Sequence, residues 1–124
     1  MIAIVDDDPS VREGTMDLLN SMGFAAETFT GADEFLKSDR VSGTSCLIAD
    51  VQMPGMTGLE LHKYLVKSDV AVPTILITAF PNDKVRACAL AAGVLCFLIK
   101  PFKASELLTC VRAALERRRT DRRG

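Results

Sequence analysis

The stretch "IVDDDPS", residues 4–10, ends an apolar run in three consecutive carboxylates, Asp6, Asp7 and Asp8. Like charges that share the end of a buried strand repel one another, by ~4 kcal/mol for a pair 4 Å apart at an effective dielectric constant near 20. A cation is therefore expected beside them. Because the donors are all oxygen atoms, the sequence favours a hard divalent ion such as Mg²⁺, which prefers octahedral oxygen ligands and keeps several waters.

Short apolar segments alternate with segments of helical periodicity along the rest of the chain. The predicted strands are residues 1–5, 24–29, 46–49, 73–77 and 95–99. A predicted helix follows each strand, with Asn82 and Ser105 near helix starts and Gly23 and Gly93 at helix ends. This alternation predicts an α/β fold in which a doubly wound, parallel five-stranded sheet is covered by helices on both faces.

The composition indicates one compact domain without a strong global charge. The chain has 124 residues, 48% of them hydrophobic, and a formal net charge of −1, which excludes general attraction to nucleic acid or to an anionic membrane. Its apolar runs are shorter than the roughly 18 residues that span a bilayer, so we expect a cytoplasmic protein. We interpret the basic segment "ERRRTDRRG", residues 116–124, as a helix end that starts a linker rather than as a nucleic-acid arm.

Cysteine and histidine residues give no sign of a metal or disulfide site. The cysteines lie in apolar or helical contexts without a C-x-x-C pair, and we interpret them as small, reduced core residues: Cys46, Cys88, Cys96 and Cys110. His62 is the single histidine and lies in "LELHKYLVK". We interpret it as a residue on the surface of a helix.

Four predicted strands end in a residue with useful chemistry: Asp6 with Asp7, then Asp50, Thr78 and Lys100. Because the carboxyl ends of parallel strands lie along one edge of a sheet, these side chains are expected to converge. A carboxylate can attack a phosphoryl group to give an aspartyl phosphate while a metal ion and a lysine neutralise the phosphoryl oxygens. Asp50 stands alone and opens the turn-rich loop "DVQMPGMTG", so it is the predicted nucleophile.

Each of these residues alone has a simpler structural interpretation. A single aspartate after a strand is usually a turn or cap residue, and Asp8 before "PSVRE" is expected to cap a helix in part. Thr78 alone would be an ordinary strand-end hydroxyl, and Lys100 a surface charge. The functional interpretation depends on the conjunction of four independent strand ends.

Together the residues resemble the receiver domains of two-component response regulators, which take a phosphoryl group from a histidine kinase. The matching segments are "IVDDDPSVR", "LIADVQMPGMTGLEL", "PTILITA" and "AGVLCFLIKPF", and the resemblance covers residues 1–115. It implies a flavodoxin-like (βα)5 fold with strand order 2-1-3-4-5. The chain would then be a signalling domain rather than an enzyme, with only slow self-catalysed phosphorylation and dephosphorylation.

The resemblance also implies a role for each site residue. Asp50 would be phosphorylated, and Mg²⁺ would be held by Asp50, by Asp7 directly, by Asp6 mainly through water, and by the backbone carbonyl of Gln52. Thr78 and Lys100 would contact the phosphoryl group, and the Lys100–Pro101 peptide would be cis. Thr78 and Phe97 would form the switch, and Gln52 and Phe80 occupy positions that tune the phosphate lifetime. We hypothesise that Phe80 hinders attacking water.

The implied partners follow from the same resemblance. A cognate sensor histidine kinase would donate the phosphoryl group. Phosphorylation would drive homodimerisation through the fourth helix, fifth strand and fifth helix, where Val85, Phe97 and Leu98 would lie near one another. The sub-patterns "VDDDPSVR" and "FLKS" look most like the FixJ and nodulation-regulator branch, whose members often carry a C-terminal helix-turn-helix. DNA would be contacted only through such an output domain, which these residues do not contain, and transcription would be the controlled process.

Two other classes of protein fit the sequence poorly. A haloacid dehalogenase-type phosphatase has a D-x-D-x-T signature after its first strand, whereas "DVQMP" follows Asp50 without a second acid two positions on. A flavin or nucleotide binder would have a glycine- or hydroxyl-rich phosphate loop after the first strand, where "DDDPS" presents negative charge.

Overall fold

Strands and helices alternate along the chain in a computed structural model that describes residues 1–123, with side chains described for residues 1–117. The elements in order are β1 (Ile2–Val5), α1 (Pro9–Ser21), β2 (Ala26–Phe29), α2 (Ala32–Lys37), β3 (Cys46–Asp50), α3 (Gly58–Lys67), β4 (Thr74–Thr78), α4 (Asp83–Ala91), β5 (Cys96–Ile99) and α5 (Ala104–Arg123). Each predicted strand is confirmed to within two residues at either end. The arginine side chains of residues 118–123 lie outside the described side chains, so the linker interpretation stays a prediction.

The five strands form one parallel sheet in the order β2-β1-β3-β4-β5. The predicted fold and strand order are therefore confirmed. The register pairs Val5 with Ala49, Asp50 with Ile77, and Thr78 with Ile99. The carboxyl ends of β1, β3, β4 and β5 consequently lie nearly level with one another, which positions the functional site.

Side chains that alternate along each strand build one hydrophobic cluster on each face of the sheet. Ala3 and Val5 face a cluster that α2, α3 and α4 cover, whereas Ile2 and Ile4 face a cluster that α1 and α5 cover. Burying one Val, Leu, Ile or Phe side chain contributes about 1.5 to 3 kcal/mol. The two clusters therefore hold the sheet between its two helical layers.

Local capping signals in the sequence fix where several helices begin and end. Asp8 is the N-cap of α1 and accepts from the backbone N–H of Ser10 at 2.9 Å, and Pro9 occupies the first turn. Asn82 caps α4 in the same way, whereas Ser105 lies inside the first turn of α5, one residue after its start. Gly23, after α1, and Gly93, after α4, have φ of 86° and 93°, as their predicted C-terminal roles require.

Burial is uneven across the sheet. All residues of β1, β3 and β4 are buried, but those of β5 are half-buried or exposed. Helix α4 beside β5 has one buried residue, Ala89. The α4–β5 edge is therefore the least tightly packed side of the sheet.

Two predictions about single residues are wrong, those for His62 and Cys88. His62 is 4% exposed and bridges three elements, because its Nδ1 lies 2.8 Å from Thr74 Oγ1 and its Nε2 lies 2.8 Å from the carbonyl oxygen of Ala92. It shares the inner face of α3 with Leu61 and Leu65, so helical spacing makes it a core residue.

The prediction that the cysteines are core residues is wrong for Cys88. Cys46 and Cys110 are buried, and burial raises the pKa of each thiol to about 12. Cys96 is half-buried, whereas Cys88 is exposed on the outer side of α4 because that helix buries only one position. None of the described helices combines the length and the apolar character needed to cross a membrane.

Candidate functional site

Three carboxylates converge at the carboxyl edge of the sheet. Asp6 and Asp7 follow β1, and Asp50 is the last residue of β3, so the level ends of these neighbouring strands bring them together. One oxygen from each carboxylate lies within 4.8 Å of the others. Asp6 and Asp50 are buried, and Asp7 is exposed. The structure therefore brings these three acids together, as the sequence predicts.

Lys100 reaches this cluster from the end of β5. Its Nζ lies 2.9 Å from Asp50 Oδ2 and 3.6 Å from Asp6 Oδ2. The Lys100 backbone N–H donates to the carbonyl oxygen of Thr78 at 2.8 Å, which anchors the residue beside β4. One ammonium group therefore contacts both buried carboxylates.

The electrostatics of the cluster follow from burial and charge. Burial raises the pKa of the Asp6 carboxyl above its ordinary value, and the charge of Asp50 adds to the increase, against the opposing effects of the Asp8 N–H and Lys100. Burial alone would lower the pKa of Lys100, but its hydrogen bond to Asp50 and the charges of both carboxylates raise it overall. The pocket is thus short of positive charge.

The donor set fits a hard divalent cation. Three carboxylates and one ammonium carry a net charge of −2 when all are ionised, and the carboxylates present oxygen ligands close together. Asp6, Asp7 and Asp50 are the residues that would hold the ion, and among the described residues they form the group with suitable spacing. Mg²⁺ typically uses one or two carboxylates and several waters, which this half-open cluster allows.

The loop after β3 holds Asp50 in place. The backbone N–H of Gln52 donates to Asp50 Oδ1 at 2.9 Å, so each carboxylate oxygen of Asp50 already has a partner. Gly55 adopts φ of 77°, a left-handed turn conformation. Gly58 has a different role, because a Cβ there would clash with the carbonyl oxygen of Asp50. The sequence alone treats both glycines as turn formers.

Thr78 lies beside the acidic cluster at the end of β4 and is 1% exposed. Its Oγ1 lies 2.7 Å from Gln52 Oε1 and 3.2 Å from the carbonyl oxygen of Phe80, and it accepts from the Phe80 N–H at 3.0 Å. Thr78 and Gln52, both predicted as site residues, are therefore in direct contact.

The remaining predicted positions lie around this centre. Phe97 on β5 is half-buried and packs against the cluster under α4, whereas Phe80 is 71% exposed. The peptide between Lys100 and Pro101 is cis, as expected. Val85 packs against the same cluster as Phe97, but Leu98 packs against the cluster on the opposite face of the sheet.

One residue of the site is absent from the sequence-based prediction. Arg12 on α1 turns back and its Nη1 donates to the carbonyl oxygen of Asp6 at 2.7 Å. The signal in the sequence is a single basic residue one turn after the Asp8 cap, in "DDDPSVR". Arg12 fixes the backbone from which the Asp6 carboxylate projects.

The site and fold agree with a known family. The family described as "Response regulator receiver domain" matches residues 2–112. The chain belongs to this family. It is thus a receiver domain of the two-component response regulator type, which is a signalling domain.

Relatives and solved structures give the same result. Nodulation protein W of Bradyrhizobium diazoefficiens is 37% identical over 98% of this receiver domain and 54% of its own length. Transcriptional regulatory protein FixJ of Azorhizobium caulinodans is 35% identical over 94% of this chain and 55% of its own length. A solved structure of the response regulator StyR superposes with a TM-score of 0.90 at 39% identity, covering 98% of this chain and 62% of that one. The chain therefore spans about half the length of the curated relatives it matches.

Proposed function

We propose that Asp50 accepts a phosphoryl group from a phosphohistidine of a sensor histidine kinase. One Asp50 oxygen would form a bond to phosphorus as the phosphorus–nitrogen bond of the donor breaks and the imidazole leaves. The observation that supports this role is the arrangement around Asp50: a buried carboxylate 2.9 Å from Lys100 Nζ, next to two further acids. Bound Mg²⁺ would supply charge neutralisation for the phosphoryl oxygens.

The residues around Asp50 have separate tasks in this proposal. Lys100 would move its ion pair from Asp50 Oδ2 to a phosphoryl oxygen, keeping one positive charge at the reacting group. Asp7 and Asp50 would bind the metal directly, Asp6 mainly through water, and the Gln52 carbonyl would complete the protein ligands. Gly58 lets the first turn of α3 approach the Asp50 backbone closely, because it has no Cβ.

The conformational switch would use Thr78 and Phe97. Phosphorylation would draw the Thr78 hydroxyl toward a phosphoryl oxygen, and Phe97 would turn inward into the space that this movement opens. The loose packing of β5 and α4 supports the proposal, because half-buried side chains lose little packing energy when they rearrange. We propose that the same edge forms the homodimer interface of the phosphorylated protein.

The output lies beyond the residues of this chain in the proposal. Residues 1–115 would be the receiver unit, and residues 116–124 would lead into a linker. Some relatives of this chain are named transcriptional regulatory proteins. Their names support the proposal that the output is control of transcription, with DNA contacted by an output domain. We place the reaction in the cytoplasm, where a kinase would obtain its phosphoryl group from ATP.

Gln52 and Phe80 would tune how long the phosphate lasts. Phe80 lies two residues after Thr78, its backbone N–H donates to the Thr78 hydroxyl, and its side chain is exposed. From this position its ring would hinder a water molecule that approaches phosphorus. Phe80→Ala should therefore shorten the lifetime of the phosphorylated form, measured as decay of the phosphorylated species by intact mass. An unchanged decay rate would reject the role of Phe80.

Intact mass spectrometry tests the central assignment. After incubation with acetyl phosphate and Mg²⁺, the native protein should gain one phosphoryl group and Asp50→Asn should gain none. Asp17 is an exposed acid on α1. The variant Asp17→Asn is therefore the matched control and should gain one phosphoryl group, as the native protein does. A gain that persists in Asp50→Asn would place the phosphoryl group elsewhere and end the proposal.

A further inference from the structure

Gln52 connects the proposed phosphoacceptor to the proposed switch residue. Its backbone N–H donates to Asp50 Oδ1 at 2.9 Å, and its side-chain Oε1 lies 2.7 Å from Thr78 Oγ1. One residue therefore contacts both groups whose environments must change on phosphorylation.

The Thr78 hydroxyl has a single hydrogen to donate. Two acceptors are in reach, Gln52 Oε1 at 2.7 Å and the Phe80 carbonyl oxygen at 3.2 Å, and the shorter distance assigns the hydrogen to Gln52. The hydroxyl also accepts from the Phe80 N–H at 3.0 Å. A phosphoryl oxygen on Asp50 can recruit this hydroxyl only by taking its hydrogen away from Gln52.

The two partners differ in burial in a way that suits a reversible contact. Thr78 is 1% exposed, so its hydroxyl depends on protein partners, whereas Gln52 is exposed and its amide can turn into water. Releasing the contact therefore leaves no buried polar group of Gln52 without a partner.

We propose that the Gln52–Thr78 hydrogen bond is a latch that holds Thr78 in its unphosphorylated position. Gln52 is thus a positioning residue that sets how easily the switch moves, in addition to any effect on phosphate lifetime. The latch rests on the proposed function, since it regulates the response of that same site. It acts on the resting equilibrium, before any phosphoryl group arrives.

Removal of the latch should favour the state that binds a phosphoryl mimic. Affinity measured for a ligand of one conformational state increases with the population of that state. Loss of one neutral hydrogen bond corresponds to a shift of about 2- to 10-fold. Gln52→Met keeps the length of the side chain and the backbone N–H to Asp50, but has no amide oxygen.

The first measurement uses the protein without metal or phosphoryl mimic. Three-bond NMR couplings of the Thr78 side chain should indicate one rotamer in the native protein and averaged rotamers in Gln52→Met. Gln52→Glu retains the acceptor oxygen and should restore the single rotamer. A single, unchanged rotamer in Gln52→Met would overturn the latch.

The second measurement is the apparent Kd for beryllofluoride in the presence of Mg²⁺. Gln52→Met should bind about 2- to 10-fold more tightly than the native protein, and the same change should have no effect in a Thr78→Val background, which has no hydroxyl. Equal tightening in both backgrounds would show that Gln52 acts without Thr78 and would overturn the proposal.

The two proposals can fail separately. If the native protein gains no phosphoryl group at Asp50, the proposed function fails, yet the metal-free rotamer measurement still decides whether Gln52 restrains Thr78. If phosphorylation occurs at Asp50 and Gln52→Met changes neither rotamer nor affinity, the latch fails alone.

Discussion

Asp6 is a buried carboxylate that faces two other acids and one ammonium group. Its Oδ1 accepts from the Asp8 N–H at 2.9 Å, and its Oδ2 lies 3.6 Å from Lys100 Nζ. Burial nevertheless dominates and raises the Asp6 pKa above 3.8. The charged form of Asp6 therefore destabilises the folded protein when no divalent cation is bound.

Asp6→Asn should raise the free energy of unfolding at pH 7 in EDTA, by on the order of 1 kcal/mol for the removal of one partly compensated charge. Asn keeps the oxygen that accepts from Asp8. Because the folded-state pKa is raised, the stability associated with the protonated carboxyl is present below pH 3.8 and is lost as pH rises through the raised pKa. The gain from Asp6→Asn should therefore vanish in acid. Urea unfolding of both proteins, from acid pH to pH 7, measures the difference in their free energies of unfolding.

Asp17→Asn is the control for that series, since Asp17 is an exposed acid on the neighbouring helix. It should leave the free energy of unfolding at pH 7 unchanged. Added Mg²⁺ should stabilise the native protein more than Asp6→Asn and so narrow their difference. A loss of stability in Asp6→Asn at pH 7 in EDTA would contradict the electrostatic account.

Single residues also mark the limits of prediction from sequence. Asp6, Asp50, Thr78 and Lys100 could be placed in one pocket because strand ends are readable and parallel strands share an edge. The contact of Arg12 with the Asp6 carbonyl depends on how one flexible side chain folds back, which no periodicity encodes. The buried position of His62 could have been predicted from the sequence, because it shares a helix face with Leu61 and Leu65.

At the scale of elements, the start of α3 determines the position of Asp50. Thr57 and Glu60 form a capping box, in which hydrogen bonds with Thr57 lower the pKa of Glu60. This capped first turn brings Gly58 against the backbone of Asp50. Capping patterns of this kind are visible in a sequence. The close approach that requires Gly58 is not, since it depends on how the helix docks on β3.

Gly58→Ala should destabilise the protein by about 1 to 3 kcal/mol, the usual range for overpacking. Its Cβ would clash with the Asp50 carbonyl oxygen and lie 3.1 Å from Leu76 Cδ2. Gly14→Ala on α1 is the matched substitution, because a Cβ there meets nothing within 4 Å. It should stabilise by about 0.5 to 1 kcal/mol through helix propensity. Chemical denaturation compares the two, and equal effects would contradict the role of Gly58.

At the scale of the whole molecule, the sheet has a buried centre and a loosely packed edge at β5. The central strands β1, β3 and β4 are buried throughout and carry Asp50 and Thr78 at their ends. The alternating apolar pattern predicts this layered sheet. The same pattern does not predict that α4 buries a single residue, because burial there depends on how α4 and α5 pack around β5.

Large apolar side chains remain exposed along the α4–β5 edge, with Phe80, Leu90 and Ile99 exposed by 71%, 47% and 45%. Such side chains favour a partner surface when a movement brings them onto one face. We therefore expect the native protein to double in mass on adding beryllofluoride with Mg²⁺, measured by sedimentation. Ile99→Lys should stay monomeric because it places a charge in the interface, whereas Val66→Lys, at an exposed position of α3, should dimerise. Neither residue is one of the proposed phosphorylation-site residues, so both variants should still take up a phosphoryl group. A dimer of Ile99→Lys would move the interface away from β5.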